Sequence, residues 1–163
     1  MRPWTLLAWL AAPLLAACGG APRGGGVSNA VECVPYARQV SGIQLYGNAY
    51  TWWDQASGRY SRGPDPAPGA VLVFRQSGRL PYGHVSVVRS VRSGREITVT
   101  QANWVHHRIA EDEPVVDVSP GNDWSAVRVW WAPSHALGAS AYATYGFIVP
   151  GGAAGRDLVA ANP

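Results

Sequence analysis

The sequence contains no lysine, so its formal charge of +3 depends on arginines, which are scattered from Arg2 to Arg156 without forming a cluster. A nucleic-acid-binding domain would carry a basic stripe, and the lack of one argues against nucleic acid as a partner. The net charge fits ordinary surface charge, or a mild preference for anionic surroundings such as a bacterial envelope.

The sequence also lacks an apolar run long enough to cross a bilayer, which takes about 20 residues. The run from Trp4 to Ala17 is shorter, carries no charge and follows Met1-Arg2, as in a signal peptide. It ends in Leu15-Ala16-Ala17-Cys18, which resembles the bacterial lipobox, where the cysteine is acylated and becomes the first residue. The alternative is an ordinary secretory signal that leaves Cys18 to pair with Cys33 in an oxidising compartment.

Charged residues are few, at 14%, whereas apolar residues reach 47%, with 19 Gly, 13 Pro and 8 Trp. This composition is typical of a loop-rich globular domain and excludes a disordered or coiled-coil chain. The length of 163 residues leaves room for one domain and an export segment. We expect a lipoprotein signal peptide over 1–17, a flexible tether over 18–28, one domain over 29–149 and a disordered tail over 150–163.

Apolar residues at a spacing of about three predict a helix over 29–40 that stops at Ser41-Gly42. Because Pro35 is tolerated only near a helix start, Cys33 is the alternative first residue. A second helical stretch is predicted over 47–56, and the Pro/Gly-rich run over 61–69 is predicted to be a loop.

The period then changes to that of strands, which are predicted over 70–74, 85–91, 97–100 and 127–131. Ser93-Gly94 joins the second and third of these in a tight hairpin. Helices followed by an antiparallel sheet indicate an α+β fold, with the N-terminal helices packed on the sheet.

With Cys18 assigned to the export segment, Cys33 is the cysteine left for chemistry. The partial positive charge of a helix N-terminus favours its thiolate, and a backbone amide there could bind an oxyanion. A cysteine at a helix start is by itself more often an inert buried thiol, so a base is needed.

The best base is His84, because it follows Tyr82-Gly83 and enters a strand that would hold it rigidly. His106, His107 and His135 lie in loops, and their spacing does not suit zinc. We therefore predict no metal and no cofactor.

An imidazole base also needs a group that orients it. Gln101 and Asn103 alternate to one face at the end of the next strand, so either could reach His84. Their other role would be to complete the strand end with side-chain hydrogen bonds.

Six motifs in order resemble a CHAP domain (cysteine, histidine-dependent amidohydrolase/peptidase), a branch of the papain-like group, over about residues 29 to 149. They are Cys33 with Tyr36, Gly47-Asn48-Ala49 before Trp52-Trp53, Pro68 to Phe74, Gly83-His84-Val85-Ser86-Val87-Val88, Ile97 to Trp104, and Gly146-Phe147-Ile148.

The resemblance implies a papain-like α+β fold, peptide or amide bonds of peptidoglycan as substrate, no metal, Cys33 as nucleophile and His84 as base. The family often has Glu two residues before the Asn, where this sequence has Gln101. We therefore assign orientation of the imidazole to Asn103 first and to Gln101 second. Trp52, Trp53, Tyr82 and Trp104 could line the cleft in this interpretation, although core packing is the more expected role for most of these rings.

Two other functions fit the same residues. One is a thiol amidase of this fold that acts on a small-molecule amide, and the other is an inactive lipoprotein that binds peptidoglycan as a structural element. The combination of Cys33, His84 and Asn103 argues against the second, because a scaffold does not need it. Protein regulators are not predictable from the sequence.

The lipobox predicts that the protein is held in the cell envelope by a lipid on Cys18. We expect the Cys18→Ala variant to leave the membrane fraction when cells are fractionated. Retention of this variant in the membrane fraction to the same extent as the parent would contradict the prediction.

Overall fold

The structure, a computed structural model of the chain, describes residues 31–151. Several predictions lie outside these residues: the signal peptide over 1–17, the lipidated Cys18 with the tether over 18–28, and all but the start of the tail over 150–163. They remain predictions.

The helices of the described chain are short. Helix α1 spans Cys33–Ser41, and α2 spans Trp52–Gln55 directly after a 3₁₀ turn over Ala49–Thr51. A second 3₁₀ turn covers Ala132–Ser134. Within residues 31–151, no helix is long and apolar enough to cross a membrane.

Helix α1 starts at Cys33 because Glu32 is still extended (φ −97°, ψ 144°) and Pro35 falls in the first turn, where its missing N–H costs no helical hydrogen bond. The helix ends at Gly42, whose left-handed conformation (φ 74°) lets its N–H bond back to the carbonyl of Arg38. The later of the two predicted starts is therefore correct, and the stop at Ser41-Gly42 is confirmed.

Eight strands follow in the described chain. They are β1 (Ser61–Gly63), β2 (Val71–Phe74), β3 (His84–Ser93), β4 (Glu96–Ala102), β5 (Ile109–Asp117), β6 (Ala126–Trp131), β7 (Ala136–Leu137) and β8 (Tyr142–Val149).

Six of these strands close into an antiparallel barrel in the order β8-β2-β3-β4-β5-β6. The barrel closes where Ala126 and Val127 of β6 pair with Ala143 and Tyr142 at the start of β8. The end of β8 pairs instead with β1. A single long strand thus closes the barrel with one half and holds β1 with the other.

The predicted α+β fold of papain-like type, with N-terminal helices packed on an antiparallel sheet, is wrong. Strands make up 40% and helices 16% of the described residues, and the sheet is a closed barrel with only two short helices. The pattern missed β5, whose charged run and Pro114 have low strand propensity, and β8, which is interrupted by Gly146. It also assigned Ser61–Gly63 to a loop, whereas these residues form β1.

Alternation along the strands produces two apolar clusters, one on each face of the sheet. One cluster contains Phe74, Val99 and Phe147 and draws its members from all six barrel strands, so it fills the interior. The other contains Val73 and Val85 and packs against the helices. Helix α1 lies against β3 and β4, which brings Cys33 to the outer face of the barrel beside the start of β3.

Candidate active site

Two side-chain contacts fix the position of Cys33, the first residue of α1. The Asn103 side-chain amide donates a hydrogen bond to the carboxylate of Glu32 (3.0 Å), and the hydroxyl of Tyr36 bonds to that of Thr100 (2.7 Å). The first contact joins the residue before α1 to the residue just after β4, and the second joins α1 to β4 itself. The thiol is therefore held at a set place on the barrel.

The environment of Cys33 keeps its thiol protonated at rest. Burial raises the pKa of Cys33, and the Glu32 carboxylate adds to the rise. The backbone amides of Val85, Val34 and Cys33 itself act in the opposite direction, since N–H groups stabilise a thiolate. The Val85 amide directly follows His84, so the sulfur lies next to the first residues of β3.

His84 is the first residue of β3, and the preceding glycine determines where it lies. Gly83 has φ 69°, and a Cβ there would come within 2.6 Å of the backbone nitrogen of Tyr50. That nitrogen donates to the carbonyl of Tyr82 (3.2 Å). Only glycine allows the turn to lie this close to the 3₁₀ segment.

The imidazole of His84 is buried among aromatic rings. It is 4% exposed, and its centroid lies 5.0 Å from that of Trp104 and 5.4 Å from that of Phe74. Burial lowers the pKa of His84 to about 4, although its hydrogen bond with Gln101 acts in the opposite direction. The ring is therefore neutral at physiological pH.

Gln101 is the side chain that contacts the imidazole. Its Oε1 lies 3.0 Å from His84 Nε2 and accepts a hydrogen bond from the hydroxyl of Ser86 (2.6 Å). Its Nε2 donates to the carboxylate of Glu113 (2.9 Å). With the amide oxygen facing the ring, His84 carries its proton on Nε2, and Nδ1 keeps its lone pair.

Asn103 makes different contacts. Besides donating to Glu32, its oxygen accepts a hydrogen bond from the backbone N–H of His107 (2.9 Å). Asn103 lies just beyond the end of β4 and has φ 61°, so the alternation that would put it on the same face as Gln101 stops there. The structure brings Gln101 to His84 and Asn103 to the start of α1.

Cys33 and His84 lie on adjoining elements, α1 and β3. Among the hydrogen bonds of residues 31–151, none joins the Cys33 sulfur to the His84 ring, whereas the Val85 amide acts to lower the pKa of the Cys33 thiol. Catalytic hydrogen bonds are commonly longer before substrate binds and shorten in the complex.

The four aromatic residues predicted to line the cleft lie in different places. Trp52 is completely buried in the cluster between helices and barrel, where substrate does not reach. Trp53 stacks on Tyr145 with centroids 5.9 Å apart, and Tyr82 is 67% exposed beside the turn before His84. Trp104 alone of the four packs against the His84 ring.

A cavity of about 240 Å³ opens beside Trp104. Besides Trp104, which follows β4, its lining residues come from β6, from the segment before β8 and from β8 itself: Val129, Trp131, Gly138, Ala139, Ser140 and Tyr142. The Trp104 and Tyr142 rings lie 5.0 Å apart in an edge-to-face arrangement. The Trp104 ring therefore lines the cavity and also packs against His84.

Three residues at the site, Ser86, Glu113 and Tyr142, were not predicted. Ser86 could have been found, because it alternates with His84 on the same strand. Glu113 and Tyr142 lie on β5 and β8, two of the strands that the pattern missed. No group of three or more His, Cys, Asp or Glu within residues 31–151 is arranged to hold a metal ion.

The buried imidazole makes stability depend on pH. An unfolded histidine takes up its proton at about pH 6.5, so the unfolded chain binds more protons than the folded protein between about pH 6.5 and about pH 4. The free energy of unfolding is therefore highest, as far as His84 is concerned, above about pH 6.5. The free energy of unfolding falls by about 3 kcal/mol as the pH drops from about 6.5 to about 4.

We expect the His84 resonances of the folded protein to titrate near pH 4 in NMR spectra. In urea unfolding at several pH values, the His84→Gln variant should lack this part of the pH dependence. A midpoint for His84 near pH 6.5 would contradict the burial described above.

Comparison with known families gives one match and one negative result. Residues 23–103 match the family model of the CHAP domain. No curated protein matches the chain. The matched residues include Cys33, His84, Gln101 and Asn103, and CHAP domains are typically amidases or peptidases whose suggested substrate is peptidoglycan. The match therefore supports a CHAP domain in this part of the chain.

Proposed function

We propose that the protein is a cysteine-dependent hydrolase that cleaves amide bonds of peptidoglycan in the cell envelope, as an N-acetylmuramoyl-L-alanine amidase or a peptide endopeptidase. Two observations support the proposal: Cys33 is the first residue of α1, which lies against β3, and His84 is the first residue of β3, with its Nε2 facing Gln101. The family match supports the substrate class. The location rests on the lipobox-like sequence alone.

In the proposed reaction the pair starts uncharged, because burial raises the pKa of Cys33 and lowers that of His84. As the sulfur attacks the amide carbonyl, its proton moves to Nδ1 of His84. The Cys33 backbone amide, together with the positive end of α1, stabilises the negative oxygen of the tetrahedral intermediate.

The imidazolium then gives the proton to the departing nitrogen, the C–N bond breaks, and a thioester to Cys33 remains. His84 next takes a proton from water as the hydroxyl oxygen adds to the thioester carbonyl. Collapse of that intermediate releases the acid, and the proton returns to the sulfur. In both steps Gln101 accepts the hydrogen bond from Nε2, which keeps Nδ1 available.

The proposal predicts that the full-length protein releases new amino groups from purified sacculi, and that Cys33→Ala lowers the rate by about 10⁴-fold or more. Val91→Ala, an exposed position on β3, serves as the matched control and should leave release unchanged. Labelling the freed amines identifies the bond: N-terminal L-alanine indicates the amidase, and any other stem residue the endopeptidase.

Two results would contradict the proposal. One is the absence of release by the parent, and the other is equal release by Cys33→Ala. Binding of the parent to sacculi without release would favour the structural lipoprotein instead.

A further inference from the structure

Glu113 is a buried carboxylate on β5, a strand that lies beyond the matched residues 23–103. It is 7% exposed, and its side chain accepts a hydrogen bond from Gln101 Nε2 at 2.9 Å. The pKa of Glu113 is raised from its usual value, chiefly by burial, although the Gln101 hydrogen bond and the charge of Arg108 act in the opposite direction. A carboxyl group is costly to bury unless it is hydrogen-bonded, and here its partner is the residue that contacts His84.

The amide of Gln101 could face His84 in either of two ways. With the oxygen toward the ring it accepts from Nε2–H, whereas with the nitrogen toward the ring it would donate to Nε2 and drive the proton to Nδ1. The second arrangement removes the lone pair that the proposed reaction needs.

Ser86 cannot select between these two arrangements. Its hydroxyl donates to Gln101 Oε1 in the structure, but a hydroxyl group can also accept a hydrogen bond from an NH₂ group. An ionised carboxylate differs, because it only accepts. In its ionised form Glu113 therefore holds the Gln101 nitrogen on its own side, where the structure has the 2.9 Å hydrogen bond, and leaves the oxygen on the side of His84.

We propose that Glu113 is a positioning residue that orients the Gln101 amide and thereby holds His84 in the Nε2–H tautomer, with Nδ1 free to take the Cys33 proton. The catalytic consequence rests on the function proposed above. The effect on the tautomer does not depend on that function.

The two ring nitrogens of His84 can be distinguished by ¹⁵N NMR, which reports the tautomer directly. We expect the parent to show Nε2 protonated and Nδ1 unprotonated at pH 7. In Glu113→Leu the amide is free to turn, so the single Nε2–H tautomer should be lost. On sacculus fragments kcat should fall by about 10²-fold, while KM changes by less than about twofold.

A reversed pair separates positioning from mere stability. In the double variant Gln101→Glu with Glu113→Gln, the carboxylate faces His84 and the amide lies behind it. His84 again faces a group that only accepts, so the Nε2–H tautomer should return and kcat should recover by about tenfold over Glu113→Leu. The matched control is Glu111→Gln, an exposed residue of the same strand, which should change neither readout.

The proposal is overturned if folded Glu113→Leu keeps the Nε2–H tautomer and the parent kcat. If Glu113→Leu does not fold, the double variant Gln101→Glu with Glu113→Gln provides the test. A His84 ring protonated on Nδ1 in that variant overturns the proposal. If the parent releases nothing from sacculi, the proposed function fails, and the tautomers of the variants still decide the role of Glu113.

Discussion

The hydrogen bond between His84 Nε2 and Gln101 Oε1 is the contact on which the rest of the site depends. It joins β3 to β4 inside the barrel, where Ser86 supports the amide oxygen and Glu113 on β5 holds the amide nitrogen. Three consecutive barrel strands therefore contribute to the state of one imidazole. The closed barrel is what makes this possible, because it buries the whole chain of contacts and excludes competing water.

Burial of the pair also determines its chemistry. The pKa of Cys33 is raised and that of His84 is lowered, both chiefly by burial, so the structure favours a neutral thiol and a neutral imidazole over a preformed ion pair. In the proposed reaction, proton transfer then accompanies attack on the substrate. The groups able to stabilise the developing charge are already in place, namely the Val85 amide and the first amides of α1.

The local features of the site could be predicted from the sequence, whereas its long-range contacts could not. The start of α1 at Cys33 follows from Pro35, and the entry of His84 into a strand follows from Gly83 and the apolar residues after it. The barrel was not predicted, in part because β5 contains a charged run that does not have the pattern of a strand. One member of that run, Glu113, is buried, and its burial can be understood only from its hydrogen bond with Gln101. The sequence pattern also led us to rank Asn103 before Gln101 as the group that orients His84, because the pattern does not reveal the left-handed turn at Asn103.

A crystal structure of the protein treated with an alanyl peptide aldehyde would show whether Cys33 and His84 act on the same carbonyl group. Addition of the thiol to the aldehyde gives a hemithioacetal that resembles the tetrahedral intermediate. We expect the adduct on Cys33 with its oxygen within hydrogen-bond distance of the Cys33 backbone amide. His84 Nδ1 should face the adduct while Nε2 remains on Gln101. An unmodified Cys33, or an adduct with the His84 ring turned away from it, would contradict the pairing of these two residues.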